Sequence, residues 1–199
     1  MGLGAKLGVV FGVVLLASTI AARADISVKT KYYDIKGKTG LELFYDMNRK
    51  GPRHGFLTKA IAQTQFKTDI KGDLVHSNGV CRTKGAEMVM QITYVYPRPV
   101  DKLDSSLARR WKKFQASNIV HEETHGRLAK KMVADVNRTM RGFKLADGQS
   151  CRKANAMLMK DLSRIIVAYN KSQVDFDKRE HRDGGPVEKS VLALVGKKK

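Results

Sequence analysis

Negative charge is scarce in this chain: 19 Asp and Glu against 38 Lys and Arg give a formal net charge of +19 over 199 residues. A surplus of that size attracts anionic partners. Nucleic acid is not the expected one, because no basic run is interleaved with aromatics as a base-stacking surface would be. Anionic cell-envelope polymers or acidic substrates are expected instead. Cysteine is almost absent too. Its two copies, Cys81 and Cys151, lack the close Cys-x-x-Cys spacing of a metal or redox pair, so in an oxidising compartment they are expected to form one disulfide closing a long loop. No apolar run after residue 20 is long enough to cross a bilayer, and no internal repeat or low-complexity tract occurs.

The one marked apolar run, Leu7 to Ile20, follows a cationic start at Lys6 and precedes the small-residue boundary Ala22-Arg23-Ala24. This pattern predicts a signal peptide over 1–24 and a periplasmic or secreted protein. No cysteine follows the run, so the usual lipid attachment point is missing. Loss of Lys6 and Arg23 with the leader would lower the formal charge from +19 to +17. Roughly 175 remaining residues suffice for one core. A single domain over 25–190 and a basic tail over 191–199, ending in Lys197-Lys198-Lys199, are expected.

Periodicity changes partway along the chain. Val28 to Ile35 is rich in strand formers, and Gly40 to Arg49 carries Leu41, Phe44 and Tyr45 at helical spacing before Gly51-Pro52 stops it. Phe66, Thr68 and Ile70 alternate with polar residues, and so do Met88, Met90, Ile92, Tyr94 and Tyr96, which predicts two half-buried strands. Gly72-Asp73 and Ser77-Asn78-Gly79 read as turns between them. After Pro97-Arg98-Pro99 the period becomes helical. Asp104 or Ser105 can cap a long helix through Leu107, Trp111, Phe114, Leu128, Met132 and Val136 that stops at Gly142. Ser150 can cap a second, with Leu158, Leu162, Ile165, Tyr169 and Phe176 on one side and a stop near Gly184-Gly185-Pro186. The expected fold class is α+β, with a small antiparallel sheet in the N-terminal half and two long helices after it.

The first long helix contains His121-Glu122-Glu123-Thr124-His125. At about 100° per residue, imidazoles four positions apart lie within about 40° of each other on one face. Chance produces such a His-Glu-x-x-His string in a chain of this composition with a probability of only about 0.004. Two neutral imidazoles one turn apart can supply adjacent corners of a tetrahedral zinc site, with a third protein ligand from elsewhere and the fourth position left to water. Glu122 then serves as the general base. Unpaired rings on an apolar stripe would otherwise be costly to bury.

A third metal ligand must come from further on, because no His follows within ten residues of the motif. Asp135, Asp161, Asp177, Glu180 and His181 are the candidates, the last three clustered at the end of the second helix. Tyr94, Tyr96 and Tyr169 could donate to a developing oxyanion, although core or rim packing accounts for them better. His54 and His76 lie in turn-like stretches and read as solvated. Trp111 and Phe114 read as core.

Tyr32-Tyr33-Asp34-Ile35 with Gly37, Thr39 and Leu43, followed by Met47-Asn48-Arg49-Lys50-Gly51-Pro52, resembles the opening of a bacterial family described as predicted secreted zinc-dependent proteases and catalogued mainly as a domain of unknown function. Further likenesses follow in order: Cys81, the aromatic strand Tyr94 to Pro97, Trp111 ahead of His-Glu-x-x-His, Cys151, and the aromatic-Asp pair Phe176-Asp177. The resemblance spans roughly residues 28 to 185 and implies a zincin-like metallopeptidase with one zinc ion. The family's aromatic-Asp pair is followed by a His and a Gly. Here His181 stands in that region, but Arg182 follows it where Gly would be. His181 is the expected third ligand and Asp177 the alternative, whichever is left over holding a ligand ring in its tautomer.

The expected function is an exported zinc metallohydrolase, most simply a peptidase acting on a peptide or protein substrate. A peptidoglycan-cleaving hydrolase would share the chemistry. A basic envelope-binding protein with a structural metal is the non-enzymatic alternative. The Met88 to Tyr96 strand is expected to offer an edge to which an extended peptide could pair.

Overall fold

The computed structural model describes residues 25–54 and 58–196, so the expected leader and the final three lysines lie outside the described residues. The chain runs β1 (Ile26–Ile35), α1 (Gly40–Lys50), β2 (Arg53–His54), β3 (Thr58–Lys59), β4 (Gln63–Ser77), β5 (Val80–Pro99), α2 (Ser105–Gly142), β6 (Lys144–Ala146), α3 (Arg152–Glu180) and α4 (Pro186–Val195). It is a mixed α+β architecture, with the sheet drawn mainly from the N-terminal half and the long helices from the C-terminal half.

The sheet departs from the expected antiparallel pattern. Its order is β1-β5-β4, with β6 on the side of β5 away from β4, and β1 runs parallel to β5 from Ile26↔Met90 to Ile35↔Pro99. Parallel pairing requires a long crossover, here everything from α1 through β4. Because β5 is central, Met90 to Val95 is flanked on both sides, and Asn137 takes up the Met88 amide and carbonyl, so this stretch does not offer the edge expected of it. The outer strands beside it are β1 and β4.

Asn78-Gly79 closes the β4–β5 hairpin with both residues at positive φ, as a two-residue type I′ turn demands. Gly72-Asp73, by contrast, makes no turn. The register passes from Lys71↔Glu87 to Asp73↔Lys84, so Gly72 sits at a bulge inside a continuous strand. Its φ of 105° and the backbone of Ala86, 2.4 Å from where a Cβ would sit, both demand glycine.

Helix α2 starts where the sequence indicates: Asp104 Oδ1 accepts hydrogen bonds from the Ser106 and Leu107 amides at 2.8 and 2.9 Å. Its middle and C-terminal half bury Ala129, Met132, Val133, Val136 and Met140 against Met88, Met90, Ile92, Tyr94 and Tyr96 of β5, joined by Leu158 and Leu162 of α3. Fully buried Asn137 fixes how α2 lies on the sheet. Its Oδ1 accepts from the Met88 amide at 2.6 Å, and its Nδ2 donates to the Met88 carbonyl at 3.0 Å. That pair of bonds satisfies a central-strand residue from a helix, and it sets which β5 side chains stand beside Glu122 and Gly126.

A second cluster joins Ile35, Leu43, Met47, Leu107, Phe114 and Leu194, with Trp111 packed against it. The expectation of a basic tail from residue 191 is corrected here. Pro186 at the first turn starts α4, and Leu194 is fully buried against α1 and α2, so the fold extends to Val195. The third cluster surrounds the Cys81–Cys151 disulfide, which ties the hairpin to the start of α3. Cys151 takes the N-cap position without a side-chain cap. The Ala154 amide instead donates to Asp147 Oδ2 at 2.8 Å, so Asp147 and not Ser150 stabilises this end.

Candidate metal centre

On α2, His121 and His125 pack against α3, with side chains only 12% and 13% exposed. Their Nε2 atoms lie 3.2 Å apart. Asp177, in the last turn of α3, places Oδ1 3.0 Å from His125 Nε2 and 3.5 Å from His121 Nε2. Ligands held 2.0–2.1 Å from a tetrahedral zinc ion stand about 3.3 Å from one another, so the three distances match the edges of such a site. His181, capping α3, joins from the other side: donor atoms of His121, Asp177 and His181 all lie within 4.8 Å of one another. Asp177 is thus brought to both histidines and His181 to His121, with Asp177 at the edge shared by the two triangles.

Ring packing supports the arrangement. Phe176 places its centroid 4.9 Å from His121 and 5.0 Å from His125, and thereby excludes water from one side of both. Burial lowers the His121 pKa to about 4, with the neighbouring His125 and His181 adding to the depression against Asp177. That ring is therefore neutral at pH 7 and has a lone pair to give. Its Nδ1 is buried without a hydrogen-bond partner, the nearest acid being Glu180 Oε2 at 3.8 Å. His125 differs: its Nδ1 meets the Oε1 of Gln173, while Gln173 Nε2 donates to the His125 carbonyl at 3.2 Å.

Glu122 faces the sheet. It is buried, which raises its pKa, while a 2.6 Å hydrogen bond donated by the Thr64 hydroxyl to Oε2 counteracts the rise. No donor among the described residues reaches Oε1. Tyr94 and Tyr96 stand behind it on β5, stacked at 6.1 Å, and burial with Glu122 and Glu123 nearby raises both hydroxyl pKa values, so both remain donors at neutral pH. Tyr96 Oη is buried without a partner. Tyr94 also explains the glycine after His125: a Cβ at Gly126 would lie 1.9 Å from its Oη. Glycine inside a helix costs about 1 kcal/mol relative to alanine, and here it admits the tyrosine beside the motif.

Asp135, Asp161 and His76 lie apart from this cluster. Asp135 is paired with Lys131 and Arg138, and Asp161 with Arg164. His76 pairs with Cys81 near the hairpin tip, twelve residues along β4 from Thr64 and so about 40 Å away. For His54 only the backbone position, in β2, is described. Tyr169 packs edge-to-face on Phe66 of β4, one turn before Gln173. Sequence reading missed Thr64 and Gln173. Thr64 left no signal, whereas Gln173 sits one turn before Asp177 and eight residues before His181 on the same helix.

Fold and site together define an α+β protein with a candidate metal centre shared between two long helices. The chain belongs to the bacterial family described as a protein of unknown function (DUF922), which matches residues 30–185. No curated protein and no solved structure matches it.

Proposed function

We propose that this protein is an exported zinc metallopeptidase of zincin-like design, with His121, His125 and Asp177 holding the ion and His181 beside them. The observation that carries the reading is the triangle of donors at 3.0, 3.2 and 3.5 Å next to a buried, base-capable Glu122. When bound, zinc would act as a Lewis acid, polarising a scissile carbonyl and lowering the pKa of water to about 7. The protein's own groups supply the rest. Glu122 accepts the attacking water's proton at Oε1, the oxygen that Thr64 leaves free, and returns it to the leaving amine nitrogen. Its raised pKa suits both halves of that transfer. Tyr96, buried and without a partner, has a hydroxyl proton to offer the oxygen on which charge develops. An extended peptide would pair with β4, whose Thr64 stands level with Glu122, and not with the central β5.

Glu122→Gln tests the base. The variant should retain zinc and lose peptide turnover by roughly 10²–10⁴-fold. Unchanged turnover would remove Glu122 from the mechanism.

One observation favours a second reading. His181 brings a further donor to within 4.8 Å of those of His121 and Asp177, and a closed four-protein shell is the mark of a structural zinc. The protein would then be a basic envelope-binding module that grips anionic polymers. Binding to anionic glycan that survives chelation, without hydrolysis of peptides or peptidoglycan cross-links, would favour it.

A further inference from the structure

We propose that Gln173 is a positioning residue: it locks His125 in the Nδ1–H tautomer and so turns the lone pair of Nε2 towards the shared donor triangle. The inference rests on the metal-centre reading and adds to it a residue outside the ligand set. Its logic starts from a group that cannot be mistaken for a donor. The His125 backbone carbonyl only accepts, so the end of the Gln173 amide that meets it at 3.2 Å must be the NH₂. The opposite end is then the carbonyl oxygen Oε1, and that atom faces His125 Nδ1. An oxygen there requires a proton on Nδ1. In a neutral ring, Nε2 is therefore unprotonated, and Nε2 is the nitrogen that lies 3.2 Å from His121 Nε2 and 3.0 Å from Asp177 Oδ1.

Both bonds close on one residue, so Gln173 grips ring and backbone of His125 together and fixes the ring's rotation as well as its proton. Its own place is fixed by α3, where Tyr169 one turn earlier packs on Phe66 and Phe176 three residues later packs on both histidines. The chemistry of the amide matters. A carboxylate in the same place would favour the doubly protonated ring, which cannot ligate. A neutral acceptor selects the tautomer without that penalty. His121 provides the contrast within the same site, because its buried Nδ1 has no such partner.

The test uses the mature chain, ¹⁵N-labelled at histidine, with zinc itself as the probe. In metal-free wild type, long-range ¹H–¹⁵N correlations should show His125 as the Nδ1–H tautomer. Gln173→Leu should lose that preference and bind zinc about 10–100-fold more weakly, while Gln173→Glu, which keeps an acceptor at the same reach, should retain the Nδ1 proton. If Gln173→Leu fails to fold, Gln173→Asn, one methylene too short to make both bonds, provides the same comparison. Wild-type tautomer and zinc affinity in the leucine or asparagine variant would overturn the proposal. Should wild type bind no zinc, the metal-centre reading falls, and the His125 tautomer in metal-free wild type and variant still decides the role of Gln173.

Discussion

The two helices that meet at the candidate metal centre hold their donors in different ways. His121 and His125 sit in the middle of α2, more than four-fifths buried, and α2 is itself pinned to β5 by Asn137. Asp177 occupies the last turn of α3 with its side chain 46% exposed, and His181 lies exposed at the cap. One half of the site is thus built into the core and the other is brought to it by a helix end. Preorganised donors supply affinity, whereas donors at a helix end can adjust as an ion or a substrate arrives. On the proposed reading the difference also separates roles: α2 would supply the base and two ligands, and α3 would complete and tune the set.

Four experiments break or sharpen this contrast. His125→Ala should have the largest effect, removing one of three ligands and about a third of the roughly 10–16 kcal/mol that protein zinc sites supply, read as loss of stoichiometric zinc by titration. Replacing both Cys81 and Cys151 by Ala removes a link across a sequence separation of 70 and should cost about 4 kcal/mol in denaturant unfolding. That staple is 22 residues from Gln173, about 33 Å along α3, so zinc affinity of the folded variant should hold. A parallel fall in affinity would show that α3 is positioned from its start and not from its packing at the site.

Gly126→Ala should destabilise the protein by about 1–3 kcal/mol, because its Cβ meets the Tyr94 hydroxyl, and Tyr94→Phe should recover part of that loss in thermal melts. Persistence of the full loss in the double variant would place the strain elsewhere. The smallest effect is expected from His181→Ala, a drop in zinc affinity of less than about tenfold or 1.4 kcal/mol, against a larger drop for Asp177→Ala. The reverse order would make His181 the ligand and Asp177 its support.

The α2 half of the site was legible because its information is local: a spacing of four on one helix face is visible in His121 and His125 themselves. Asn78-Gly79 announced its hairpin for the same reason. Non-local features were not legible. The parallel pairing of β1 with β5 joins residues some 64 positions apart, and alternation within a strand says which face is buried but not which strand lies alongside. Thr64 and Gln173 reach Glu122 and His125 across separations of 58 and 48 residues. Gly72 carries the same local signal in a bulge as in a turn, and only its neighbour Ala86 decides between them. The short apolar stretch of α4 was hidden by the flanking glycines and the lysine-rich end.

Zinc content per chain, measured by elemental analysis on folded protein equilibrated with a slight excess of zinc at neutral pH and then desalted, tests the central claim most directly. The account predicts about one ion in wild type and none retained in His121→Ala or His125→Ala. A folded wild type that emerges without zinc would contradict it.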